Sequence, residues 1–270
     1  MLQINNIRKT FNPGTVNEVV ALDGVDLQIE AGSFVCVLGT NGSGKSTTLN
    51  AVAGTFLPDE GSILLDGIDI TRLSEHQRAR YIGRVFQNPF SGTAPNMSIE
   101  ENLSLAFKRG QQRGLGWGLP REQREHYRKL LKPLNMELED RLGTPIGKLS
   151  GGQRQALTLL MATAVKPKLL LLDEHTAALD PKTAAKVIEL TEELVSRDQL
   201  TTLMVTHSMQ QAVNLGDRIV MMHRGRVAYD IRGEEKKRLK LNDLLQLFDE
   251  LRRRDNIDHA VAEMLRIQYV

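Results

Sequence analysis

The apolar run Phe34-Val35-Cys36-Val37-Leu38 passes directly into Gly39-Thr40-Asn41-Gly42-Ser43-Gly44-Lys45-Ser46-Thr47. From Lys45 the pattern becomes helical, with Leu49, Val52 and Ala53 on one face and Gly54 placed as the C-cap. A buried strand, a loop of small residues and a helix therefore follow one another without a break. The first eight residues of the loop fit G-x-x-x-x-G-K-[ST] in the strand-to-helix setting that gives the pattern its meaning. Small side chains let backbone N–H groups converge on phosphate oxygens at a positive helix N-terminus. Lys45 is placed to neutralise β- and γ-phosphate charge, and the Ser46 hydroxyl to bind Mg²⁺.

The rest of the chain fits around this unit. Apolar strands are expected at Tyr81 to Phe86, Leu169 to Leu172 and Leu203 to Thr206. The last two flank a helical stretch from about 181 to 197, which implies a βαβ unit and a parallel sheet. Residues 2 to 38 read mostly as strands, with period-two alternation from Val25 to Glu30, and Met221 to Ile231 reads as a hairpin about Arg224-Gly225. Between 88 and 165 there are only helical periods, over 98 to 108, 121 to 135 and 150 to 165. The expected fold is α/β: a phosphate-loop domain with a mainly parallel sheet, an antiparallel β portion and an inserted α-helical subdomain. Residues 1–87 and 166–232 form the core in this reading, and 88–165 the insertion. Residues 233–270 are a C-terminal helical extension, its Leu241, Leu244, Leu245, Phe248 and Leu251 packing on the body behind a solvated basic run, Lys236-Lys237-Arg238.

Composition narrows the function classes. Among 270 residues, Lys+Arg 35 against Asp+Glu 33 leaves a net charge of +2, too balanced to signal a nucleic-acid partner. The single cysteine, Cys36, excludes an internal disulfide framework and reads as a buried strand residue. The histidines lack the paired spacing of a structural zinc site. Met-Leu-Gln-Ile-Asn-Asn is not the start of a signal peptide, and no stretch reaches the 18 or so apolar residues that cross a bilayer, so a cytosolic chain is expected.

Two further segments carry chemistry. Leu169-Leu170-Leu171-Leu172-Asp173-Glu174 ends an apolar strand in two carboxylates, where an open parallel sheet presents residues to a ligand. A phosphate-bound Mg²⁺ needs an oxygen ligand from a neighbouring strand, the role of Asp173, and Glu174 can act as base toward the attacking water. Ser150-Gly151-Gly152-Gln153 opens a helix, and Ser150 with Gln153 forms a capping box. Two glycines in a first turn weaken a helix by about 1 kcal/mol each relative to alanine, so bare N–H groups at this start suggest a second anion site.

With these segments in hand the chain resembles the nucleotide-binding subunit of ATP-binding cassette (ABC) transporters. Leu149-Ser150-Gly151-Gly152-Gln153 is similar to the family's signature sequence without a substitution. By the same resemblance Phe11 stacks on adenine, and Gln87 is the glutamine that opens the helical subdomain and reaches the metal and γ-phosphate. Asp180 lies in the loop at the dimer interface, and His207 contacts the γ-phosphate. The likeness covers about residues 1 to 232. It departs where the usual Asp-Glu-Pro-Thr becomes Asp173-Glu174-His175-Thr176, placing a titratable ring beside the proposed base, and where Asn12 to Glu18 lengthen the turn after Phe11.

The resemblance implies ATP and Mg²⁺ as ligands. It also implies a head-to-tail dimer with a second copy, in which ATP lies between the loop at Lys45 of one subunit and Ser150 of the other. Separate permease subunits, an extracytoplasmic solute-binding protein and a peripheral position on the cytoplasmic face of the inner membrane follow for an importer. The stretches from Ile82 to Asn102 and Leu142 to Leu149 resemble a branch for which an amino acid or other small organic solute is expected. Asn88 through Asn102 is the expected dock for a permease helix. A soluble ABC-type scaffold in cofactor assembly is the alternative, whereas chromosome- or repair-type ATPases carry long coiled-coil insertions that are missing from this sequence.

Overall fold

The computed structural model describes residues 1–111 and 121–253. Two sheets form its frame. The first is antiparallel, in the order β2-β1-β4-β5, from β1 (Leu2–Phe11), β2 (Val19–Ile29), β4 (Glu60–Leu65) and β5 (Ile68–Asp69). The second runs β10-β9-β3-β8-β7-β6 and is built from β3 (Phe34–Gly39), β6 (Ile82–Val85), β7 (Leu169–Asp173), β8 (Thr202–Val205), β9 (Arg218–His223) and β10 (Arg226–Arg232). Its pairs are parallel except for β9 with β10, the hairpin expected about Arg224-Gly225. The β4–β5 hairpin was not anticipated, although Asp66-Gly67 between Leu65 and Ile68 is a common two-residue hairpin turn.

β3 and the four leucines of β7 form unbroken apolar runs because both faces of these strands are covered. Phe34, Cys36 and Leu38 of β3 and Leu170 and Leu172 of β7 point into one core, beneath α5 (Gly151–Thr163) and α6 (Pro181–Asp198). Val35, Val37, Leu169 and Leu171 point into a second, shared with the antiparallel sheet and α1 (Lys45–Ala53). Burial pushes the Cys36 thiol up to about 12, so it behaves as an inert apolar group.

Helices over the expected insertion are α3 (Ile99–Phe107), α4 (Arg121–Leu131) and α5, and residues 112–120 lie outside the description. After α7 (Met209–Asn214) and β9–β10, the basic run falls in α8 (Gly233–Arg238) and a helical stretch covers 241–253. Leu244, Phe248 and Leu251 are buried in the first core, whereas Leu245, expected to pack with them, is 42% exposed. The basic run is not wholly solvated: Lys236 is buried and its Nζ donates to Val213 O at 2.8 Å. Its stem packs against the body while its charge caps a carbonyl near the end of α7. Residues 254–270 of the expected extension lie outside the described residues.

Candidate active site

The loop over 39–44 joins the C-terminal edge of β3 to α1, so the first N–H groups of α1 have no intrahelical acceptor and face the loop's mouth. Gly44 adopts φ +99, and a Cβ there would lie 2.8 Å from Ala21 O; only glycine lets the loop close this tightly. Lys45 Nζ donates to Gly39 O and Thr40 O, both at 2.9 Å, and is held below the usual lysine range by burial, against the pull of the Glu174 and Asp173 carboxylates. Ser43 Oγ is buried with no hydrogen-bond partner. An orphaned hydroxyl among free amide donors fits an anion that accepts from both.

β7 is paired with β8, ends at Asp173 opposite Val205 and carries Glu174 just beyond the strand. Burial raises the Asp173 carboxyl, while Arg84 and the nearby Ser46 hydroxyl oppose the shift. Glu174 is a non-glycine residue in the left-handed region, at φ 44, pinned by its own N–H donating to Val205 O at 2.9 Å. Such backbone strain persists where surrounding bonds over-determine it. Here it turns the carboxylate between two partners from other loops: Gln87 Nε2 donates to Oε2 at 3.2 Å, and His207 Nε2 lies 2.5 Å from Oε1. Phe11, residues 41–47, Glu174 and His207 line one cavity of about 390 Å³. Phe11 stands at its rim, partly exposed, edge-on to Phe56 at 5.3 Å between ring centroids, leaving a ring face for a flat ligand.

The expected second anion site is elsewhere. Ser150, Gly151, Gly152 and Gln153 line no part of that cavity; Ser150 and Gly151 are exposed at the start of α5. The capping box is present, with Gln153 N donating to Ser150 Oγ at 3.3 Å and Ser150 N to Gln153 Oε1 at 3.1 Å. The structure supplies a packing reason for one glycine: a Cβ on Gly152 would lie 2.0 Å from Thr183 Cγ2 of α6. Gly151 has no such crowding, so its bareness is surplus to packing. Asp180 is exposed and caps α6, its Oδ1 accepting from Thr183 N at 3.1 Å.

His175 does not face Glu174. It is buried in the core with Nε2 3.0 Å from Thr191 Oγ1, and burial pushes it down to about 4. Because the folded value lies below the unfolded one, the neutral ring's contribution is intact above about pH 6.5 and is lost as pH falls toward 4. Wild-type protein is therefore expected to lose about 2 kcal/mol more stability than His175→Asn between pH 7 and pH 4.5, read by denaturant unfolding. Equal losses would remove His175 as the acid-sensitive group.

Two residues at the site escaped the sequence reading. Arg84 lies in β6, mostly buried, with Nη1 donating to Thr55 Oγ1 at 2.9 Å and Nη2 3.7 Å from Asp173 Oδ2. A charge in Ile82-Gly83-Arg84-Val85 was the available signal, since a buried arginine must find partners. Gln211 of α7 accepts from Thr206 Oγ1 at 2.8 Å and donates to Thr176 Oγ1 at 3.2 Å, bridging the loops that carry His207 and Glu174.

Residues 22–177 match the family model described as ABC transporter. The chain is 44% identical over 254 residues to the tyrosine transport ATP-binding protein of Clostridioides difficile, covering 92% of this chain and 99% of that protein. The chain belongs to the ABC transporter family. It is an ATP-binding subunit of that family, with ATP hydrolysis coupled to transport as its activity. The choline transport ATP-binding protein OpuBA of Bacillus subtilis is 37% identical over 230 residues, 84% of this chain but 56% of that longer protein. Among solved structures, the dimeric post-hydrolysis state of the ATP-binding cassette MJ0796 bound to ADP and Pi superposes with a TM-score of 0.73 at 33% identity, covering 86% of this chain and 98% of that one. The Clostridioides difficile and Bacillus subtilis relatives carry transport in their names, and the cofactor-assembly alternative gains no support from them. Among the described residues no helix is long and apolar enough to cross a membrane.

Proposed function

We propose that the chain powers import of an amino acid of the tyrosine class, through two composite ATP sites formed with a second copy. The observation that carries the hydrolytic role is Glu174, held at the end of β7 between Gln87 and His207 beside the phosphate loop. In this reading Phe11 stacks on the base, and the amides of 39–47 with Lys45 bind the phosphates. Glu174 takes the proton of the attacking water at an Oε atom while His207 and Gln87 fix its orientation toward the γ-phosphate. Ser46 and the neighbouring Asp173 offer two oxygens and Gln87 a third, which suits Mg²⁺, a cation ordinarily held by few protein ligands plus phosphates. When bound, Mg²⁺ neutralises charge on the β- and γ-phosphates. Exposed Ser150 and Gly151 then meet the γ-phosphate bound by the partner, a contact present with ATP and lost after hydrolysis, as a switching ligand requires.

The cargo class is supported by the tyrosine transport relative, matched along nearly its whole length. Separate permease subunits and an extracytoplasmic solute-binding protein complete the system, with this subunit on the cytoplasmic face of the inner membrane. The permease docks on the stretch from Asn88 to Asn102, at the loop ahead of α3 where Phe90 is half exposed. The test is uptake of labelled tyrosine, choline and sulfate by cells carrying the chain with its permease and binding protein. Tyrosine uptake lost on replacing Lys45 with Ala is the expected result; uptake of choline or sulfate alone overturns the cargo assignment.

A further inference from the structure

The loop that begins at Gln87 is stitched to the start of α5 by contacts that the hydrolytic chemistry does not use. The Arg154 guanidinium sits 3.5 Å from the centroid of the Phe90 ring. Gln155 Nε2 donates to Phe86 O at 3.3 Å, and Ile146 N and Gly147 N donate to Met97 O and Pro95 O at 3.0 and 2.8 Å. Arg154 itself is buried, and its Nη2 donates to Ile146 O, Gly147 O and Leu149 O at 3.2, 3.1 and 3.0 Å. Those three carbonyls belong to the turn directly ahead of Ser150. One side chain thus shapes the segment that presents Ser150 and Gly151, and one aromatic ring covers that side chain.

Phe90 is 48% exposed, so this ring has a guanidinium on one side and solvent on much of the rest. A cation against an aromatic face is held by the ring quadrupole and by the exclusion of water from the guanidinium. Removing the ring lets water compete for Arg154 and loosens its hold on three carbonyls at once. We propose that the Phe90–Arg154 stack is a positioning device that keeps the segment before Ser150 in register for the partner's nucleotide. It makes the presentation of Ser150 in each subunit depend on the loop that starts at that subunit's own Gln87. Pressure on the free side of Phe90 reaches the partner's site by the same route. The inference rests on the head-to-tail reading given above.

The experiment uses the full chain in a Glu174→Gln background, with ATP-dependent dimerisation followed by sedimentation and ATP affinity measured at protein concentrations below dimer formation. Phe90→Ala is expected to raise the protein concentration at half-dimerisation about tenfold, since each dimer holds two stacks and an individual stack is a modest interaction. Monomer ATP affinity is expected to stay as it was, which a general loss of folding would not permit. Phe90→Tyr restores dimerisation and Phe90→Leu does not, because only the former keeps a ring face for Arg154. Unweakened dimerisation by Phe90→Ala, or rescue by leucine equal to that by tyrosine, overturns the proposal. If Glu174→Gln alone stays monomeric with ATP, the head-to-tail reading falls and takes this inference with it.

Discussion

Replacing Glu174 with Gln is expected to lower steady-state ATP hydrolysis by about a thousandfold while ATP binding persists. The isosteric amide keeps its size and keeps a carbonyl oxygen for Gln87 Nε2, but it has no affinity for the proton of the attacking water; loss of a general base of this kind is worth roughly 10²–10⁴ in rate. Lys45, Ser46 and Asp173 are untouched, so the nucleotide is still held. The bound ATP then persists, and the protein is expected to elute as a dimer with ATP and as a monomer with ADP. Turnover within about twofold of wild type would remove Glu174 from the base role. Arg84→Gln separates this chemistry from metal-side placement, because the Arg84 guanidinium faces Asp173 and leaves the Glu174, Gln87 and His207 cluster alone.

The second large effect tests whether the two anion sites belong to different chains. Lys45→Ala and Ser150→Arg are each expected to abolish hydrolysis in homodimers, the first by weakening phosphate binding and the second by placing a bulky cation where a bare helix start meets nucleotide. Mixed in equal amounts, they form heterodimers in which both lesions fall in one interface and the other keeps Lys45 and Ser150 intact. With random exchange half the dimers are mixed and carry one sound site of two, so recovery of about a quarter of wild-type activity is expected for independent sites. A site complete within one chain would give no recovery, because each subunit then carries its own lesion. Ser150→Arg also removes an N-cap worth about 1 kcal/mol, so its melting temperature is compared with that of Ser150→Ala, which loses the same cap without the bulk.

Much of the site was legible because its chemistry is concentrated in short contiguous segments. Gly39 to Ser46 carries its meaning locally: small residues, a lysine and a hydroxyl between a strand and a helix. Asp173 and Glu174 needed only the inference that an apolar strand ended there. The strand of four leucines, Leu169 to Leu172, was harder to orient, since a run without alternation does not show which residue faces which layer. In the structure alternate leucines enter separate cores, because β7 lies in the second sheet with both of its faces covered.

Other features became readable only through contacts between residues far apart in the chain. Gln87, Glu174 and His207 are 87 and 33 residues apart, and the bonds that gather them depend on β6, β7 and β8 being neighbours. His175 shows the limit of local reading most plainly. Adjacency to Glu174 leaves both a structural and a chemical role open for this ring, and the left-handed turn at Glu174 decides for the first by sending the next side chain into the core against Thr191. Gly152 looked like a bare anion donor and proved also to be a close approach to Thr183.

The phosphate loop, the acidic strand end, the capping box at Ser150 and the alternation of strands and helices all follow from the order of residues along the chain. These depend on residue type and on spacings of a few positions, which set local backbone geometry and the hydrogen bonds available to it. Packing alone brings Arg84 to Asp173, ties Thr176 to Thr206 through Gln211, buries Lys236 and sets Phe90 over Arg154. Each of these sets a long polar or charged side chain against a group from a distant segment. Where such a side chain ends is fixed by which carbonyls, hydroxyls and rings the packed sheets and helices bring within its reach.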